Sequence, residues 1–154
     1  MQRLWLFTGR TAFWLSYPLL YWYLRLSRRT RVVMVSQGKV LVVKGWLSND
    51  KWMLPGGGLH RGEDGRLGAA REVFEETGIR VPATALQSFG MVDYHGEGFR
   101  FQFEQFWIAL DAPTEPKIQQ REIVEIAWVP IEELTSGNTR QDALEVLAAW
   151  KRLV

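Results

Sequence analysis

Between Gly57 and Ile79, four glutamates, one arginine and two glycines stand at fixed separations, and no other stretch constrains this chain so far. The run is GGLHRGEDGRLGAAREVFEETGI, or Gly-x5-Glu-x7-Arg-Glu-Val-x-Glu-Glu-x-Gly-Ile. Glu72, Glu75 and Glu76 fall at i, i+3 and i+4, so a helix here stacks three carboxylates on one face. Left alone, such neighbours repel by roughly a few tenths of a kcal/mol per pair. A hard divalent cation removes that cost, because oxygen-only ligand sets suit Mg²⁺ or Mn²⁺. The segment reads as a helix that carries a metal site. Asp64 is its expected N-cap and Gly78 its C′ residue, with Leu67, Ala70, Val73 and Phe74 as a buried stripe opposite the acids.

Around this helix the pattern predicts strands and one further helix. Arg31–Gln37 and Lys39–Trp46 read as a valine-rich hairpin turning at Gln37-Gly38. Lys51–Leu54 is a short strand, and Pro55-Gly56-Gly57-Gly58 a turn in which successive glycines permit unusual backbone angles. Leu86–Tyr94 and Arg100–Leu110 read as strands joined at His95-Gly96-Glu97-Gly98. Asp111–Gln120 is a loop, Ile123–Val129 a strand, and Ile131–Leu134 a helical turn. Gln141–Arg152 reads as a closing helix with Leu144, Leu147, Ala148 and Leu153 inward. Strands and helices interleave without a strict βαβ rhythm, which implies an α/β (α+β) class with a mixed sheet between helices.

The 23-residue run is similar to the Nudix box. Gly57, Glu63, Arg71, Glu72, Val73, Glu75, Glu76, Gly78 and Ile79 fit that family's pattern, and Trp52-Met53-Leu54-Pro55-Gly56 resembles the strand leading into it. Weaker likeness at Trp128-Val129-Pro130-Ile131-Glu132-Glu133-Leu134 extends the resemblance to about residues 31–150. It implies an α/β/α sandwich and Mg²⁺- or Mn²⁺-dependent hydrolysis of a nucleoside diphosphate linked to another group, with water attacking phosphorus. A non-catalytic nucleotide sensor would have lost box glutamates, and none is lost. An isopentenyl-diphosphate isomerase shares the fold but normally employs a cysteine, and this chain has none.

Roles follow from residue type and resemblance together. Glu72, Glu75 and Glu76 are the expected metal ligands, with Glu63 either an outer or second-metal ligand or a helix-dipole partner. Gly57 is expected to turn its carbonyl toward the cation. Arg71 cannot ligate a metal; at i−4 to Glu75 and close to Glu63, it is expected to orient a carboxylate through paired hydrogen bonds. The general base is Glu75 or a glutamate outside the box, Glu122 first, with Glu104 and Glu97 behind it. Arg100 and Arg121 are candidate phosphate contacts. Phe99, Phe101, Phe103 and Trp107 alternate along one strand, where they either stack a nucleobase or fill the sheet core.

The amino end is of another character. Residues 1–49 hold eight of the 19 Lys and Arg and none of the 17 Asp and Glu. Within residues 4–26 lie eight aromatics from Trp5 to Tyr23, followed by Arg25, Arg28 and Arg29. No small-x-small cleavage site follows and the charge lies on the wrong side for a secretory signal, so the protein is expected in the cytoplasm. Three readings stay open for residues 1–29: a helix packed on its own domain or on a homodimer partner, an anchor at the inner membrane face, or a membrane span. Arg10 within the stretch argues against the last. The domain is expected to occupy 30–154, with a small nucleotide or other diphosphate as its ligand and no specific nucleic acid.

Overall fold

Two valine-rich strands at the centre of the sheet are covered on both faces, which explains why they read as continuous apolar runs rather than alternating ones. The computed structural model describes residues 28–96, 99–119 and 122–154, with backbone only at 95–96 and 99–101. β1 (Arg28–Ser36) and β2 (Lys39–Gly45) meet at Gln37 and Gly38. Both turn residues have positive φ, 49° and 74°, the geometry whose twist suits a two-residue hairpin. β3 (Gln87–Gly96), β4 (Phe99–Ala109) and β5 (Ile123–Pro130) follow. Among the described residues they form one sheet in the order β3-β4-β1-β2-β5. β1 runs parallel to β4, and the other neighbouring pairs are antiparallel.

Two helices, α1 (Gly65–Thr77) and α2 (Gln141–Lys151), lie on opposite faces, giving the mixed-sheet sandwich. Alternate residues of β1 divide between them. Val32 and Met34 join Phe106, Ala69 and Val73 on the α1 side, while Val33 joins Val42, Val146, Leu147 and Trp150 on the α2 side. Each fully buried valine contributes roughly 1.5–3 kcal/mol of transfer free energy. Phe103 and Trp107 take the core role rather than an open stacking face. Phe103 is 1% exposed, and the Trp107 ring lies 6.3 Å from that of Trp150.

Several elements differ from expectation. The strand expected at Lys51–Leu54 shrinks to isolated bridges at Trp52 and Met53. Leu67, expected inside, is 60% exposed, and Ala70 and Phe74 are only partly covered. Val73 is buried as expected, and the rest of the buried side of α1 is Gly65, Gly68, Ala69, Glu72, Glu76 and Thr77. The helix is rotated so that small residues approach the sheet closely and two of the acids turn inward. On α2, Leu147 is buried as expected, but Ala148 faces solvent, as does Leu153 just beyond the helix, and Asp142, Ala143, Val146 and Trp150 point inward.

The feature that builds the site is a split between β1 and β2. Direct register pairing is confined to Val35↔Val40 and Ser36↔Lys39 at the turn. Below it, residues 52–59 are inserted. Val32 N–H donates to Pro55 O at 2.9 Å, Thr30 N–H to Gly57 O at 2.8 Å, and Leu59 N–H to Arg28 O at 2.9 Å. On the other side Met53 exchanges both backbone bonds with Val43. The glycine-rich turn is therefore paired inside the sheet, not suspended from it.

Candidate metal and diphosphate site

The box helix is held at both ends by its own sequence. The Asp64 side chain accepts from Arg66 N–H at 3.0 Å and Leu67 N–H at 3.2 Å, a cap of about 1 kcal/mol. Gly78, at φ 70°, closes the other end with its N–H on Phe74 O. That left-handed angle is one a Cβ disfavours.

Inside, α1 presses glycines against carboxylates. A Cβ on Gly57 would overlap the Glu72 carboxylate, and one on Gly65 would overlap that of Glu104. Gly56, at φ 136°, lies so close to the Thr30 carbonyl that no side chain fits. Its N–H donates to Glu76 at 2.9 Å. The Gly57 carbonyl accepts the Thr30 N–H, and the missing side chain of this glycine leaves room for Glu72 on its Cα side.

Arg71 gathers the remaining acids. Its Nε and Nη2 hold the two oxygens of Glu63 at 2.9 Å each. Nη1 reaches Glu72 at 2.8 Å and Glu75 at 3.0 Å, and Nη2 also donates to Gly58 O at 3.0 Å. The fork holds the Glu63 carboxyl down at about 2, against an ordinary 4.5. The same acids hold the guanidinium further in its charged form.

Glu72 and Glu76 are each 9% exposed. Burial raises Glu72 despite Arg71. Burial likewise pushes Glu76 up to about 7, against the Gly56 N–H and the charge of Arg31. Glu75 is the box acid that keeps an open side, its side chain 38% exposed. Among the described residues, no three acidic or imidazole groups stand ready as a metal cage, since Arg71 lies between Glu63, Glu72 and Glu75. The donor set nonetheless suits a hard cation: oxygen only, two carboxylates buried, and a glycine cradle that a Cβ would fill.

The expected outer residues are placed less evenly. Glu122 lies in the turn before β5, exposed, with its carbonyl accepting Trp46 N–H. Among the described residues no hydrogen bond or ion pair joins its side chain to the box. Glu104 stands closer, at the α1 amino end, paired with Arg28 at 2.7 Å. The Arg100 and Phe101 side chains, and the residues Glu97 and Arg121, lie outside the described residues, as does everything before Arg28. Arg28, read from sequence as part of a basic tail, instead opens β1 beside the site. Also unanticipated is a buried pair behind the glycine turn, Arg31 with Asp142 at 3.2 Å. A charged residue leading a valine run and an acid one residue into a helix were the available signals.

A family model for the NUDIX domain matches residues 26–150. The chain belongs to the Nudix family. It is 31% identical over 110 residues to Nudix hydrolase 7 of Arabidopsis thaliana, covering 70% of this chain and 37% of that protein. It is 30% identical over 129 residues to an RNA pyrophosphohydrolase of Rhizobium meliloti (strain 1021), covering 67% and 74%. Against several curated relatives this Nudix chain spans only 35% to 40% of their length. Among solved structures, the NUDIX domain of Shewanella oneidensis NrtR, complexed with ADP ribose, superposes with a TM-score of 0.70. That match covers 82% of this chain and 88% of the other at 18% identity, and it shows the shared fold. No helix among the described residues is long and apolar enough to cross a membrane.

Proposed function

We propose that this Nudix domain is a Mg²⁺- or Mn²⁺-dependent hydrolase that cleaves the diphosphate linkage of a nucleoside diphosphate derivative. The observation that carries the reading is the inward-turned pair Glu72 and Glu76, buried against the Gly56-Gly57 turn with Glu75 open beside them. An acidic helix face that served only solubility would point outward. Relatives named as a hydrolase and as an RNA pyrophosphohydrolase support the same reaction class.

Glu72, Glu75 and Glu76 would hold the ion, with Glu63 outside them. When bound, it offsets diphosphate charge and acidifies a water. The protein's own part is positional. Arg71 fixes Glu63 and Glu72 through charge-assisted bonds, the glycine turn keeps side chains out of the space, and burial excludes bulk water. Glu75 has the open face that a proton acceptor needs, so it is the first choice for general base, with Glu122 as the alternative outside the box.

The test is a panel of ADP-ribose, dinucleoside polyphosphates, sugar nucleotides and a 5′-triphosphorylated RNA oligomer, each with Mg²⁺ or Mn²⁺. Phosphate release after phosphatase treatment reports cleavage. Turnover of at least one compound supports the reading. Tight binding of nucleotide with no turnover of any compound assigns the domain to ligand sensing instead.

A further inference from the structure

Arg31 occupies an unusual place for a guanidinium. It is 8% exposed, in the second layer behind the glycine turn, and it faces α2 rather than the box helix. Its Nη1 donates to the carbonyls of Thr30 at 3.2 Å and Gly56 at 3.0 Å. Its Nη2 reaches Asp142 Oδ2 at 3.2 Å. Arg140 Nε holds the other oxygen of Asp142 at 3.2 Å. The guanidinium also lies 4.5 Å from the centre of the Phe103 ring, a cation–π geometry.

The two backbone polar groups of Gly56, one on each side of its Cα, thus face different charges. Its carbonyl oxygen is held by Arg31, and its N–H by Glu76. Because a Cβ at Gly56 would strike the Thr30 backbone, the turn has no side chain of its own to set its angle. We propose that Arg31 is a positioning residue, braced by Asp142, that fixes the Gly56 carbonyl and, across the Gly56 Cα, the N–H that holds the Glu76 carboxylate. The linkage itself involves no metal; its consequence for ion binding rests on the hydrolase reading above. A buried ion pair is weak evidence for stability, since desolvation offsets much of its attraction, so a positional role accounts better for a charged pair at this point. Supporting groups of this kind typically tune metal affinity or activity by about 10–100-fold.

Arg31→Lys keeps a positive charge but loses the fork that reaches the two carbonyls through Nη1 and Asp142 through Nη2. Three readouts on the full chain decide the matter: amide hydrogen exchange at Gly56, Mn²⁺ affinity by electron paramagnetic resonance, and kcat against KM. Gly56 exchange is expected to speed up by about 10-fold or more relative to Val32, Mn²⁺ to bind about 10-fold more weakly, and kcat to fall with KM little changed. Asp142→Asn, which preserves shape, is expected to move the same three readouts in the same direction and decides the matter if the lysine variant does not fold. A lower melting temperature with unchanged Gly56 exchange and unchanged Mn²⁺ affinity in both soluble variants overturns the proposal. If wild-type protein binds no Mn²⁺ the hydrolase reading fails by itself, and Gly56 exchange still tests the brace.

Discussion

Replacing Glu76 by Gln should stabilise the metal-free protein at alkaline pH. Burial raises the Glu76 carboxyl to about 7 from an ordinary 4.5. The proton is therefore bound more tightly in the folded state than in the unfolded one. Stability from this group is fully present below about pH 4.5 and is lost as pH rises through about 7. The whole difference is worth about 3 kcal/mol at pH 8. Gln keeps the volume and an oxygen for the Gly56 N–H, but it adds a buried amide donor whose unmet bond costs about 1–2 kcal/mol. The net gain is about 1–2 kcal/mol, or about 3–6 °C in a domain of this size. The assay is a melting curve in excess chelator at pH 5 and at pH 8. The mutant should melt higher at pH 8, with the gain gone or reversed at pH 5. The two histidines are common to both proteins and cancel in the difference. A wild-type minus mutant difference that does not change with pH would mean that Glu76 is not desolvated.

Other outcomes follow from the same geometry. Excess chelator should abolish turnover, and added Mg²⁺ or Mn²⁺ should restore it. Asp64→Ala removes the cap of α1 and should cost about 1 kcal/mol, about 2–4 °C, seen by differential scanning calorimetry. Arg71→Lys breaks the fork on Glu63, whose low pKa adds stability above about pH 4.5 that is lost as pH falls toward about 2. The variant should therefore show a smaller loss of melting temperature across that window than wild type does. Deleting residues 1–27 leaves β1 and the Arg28–Glu104 pair in place, so turnover should persist while association state or solubility changes. Light scattering and vesicle co-sedimentation then distinguish subunit from lipid contact, and an unfolded product would show the segment to be core.

What the sequence disclosed, and what it withheld, divides along a physical line. Local chemistry was legible: Asp64 and Gly78 bound the helix because caps act within a few residues, and Gln37-Gly38 turned because its backbone demands it. The Glu-x-x-Glu-Glu spacing marked an acidic site for the same reason. The rotation of α1 was not legible. Leu67 and Phe74 look like core residues, yet the helix packs through Gly65, Gly68 and Ala69, since close approach to the sheet depends on small side chains rather than apolar ones. That rotation turns Glu72 and Glu76 inward. The insertion of residues 52–59 between β1 and β2 was likewise hidden, because pairing across a split sheet leaves no periodic trace. Nor could spacing reveal that Arg31 meets Asp142, 111 residues away.

On the proposed function, a divalent ion held by Glu72, Glu75 and Glu76 lets this domain cleave a diphosphate by attack of water at phosphorus. Hydrolysis in ¹⁸O-labelled water, with mass spectrometry of both products, tests it most directly on whichever compound of the panel is turned over. One ¹⁸O should enter one phosphate-bearing product, in the presence of Mg²⁺ or Mn²⁺ and not in excess chelator. Full turnover in chelator, or label found on carbon rather than on phosphorus, would contradict the account.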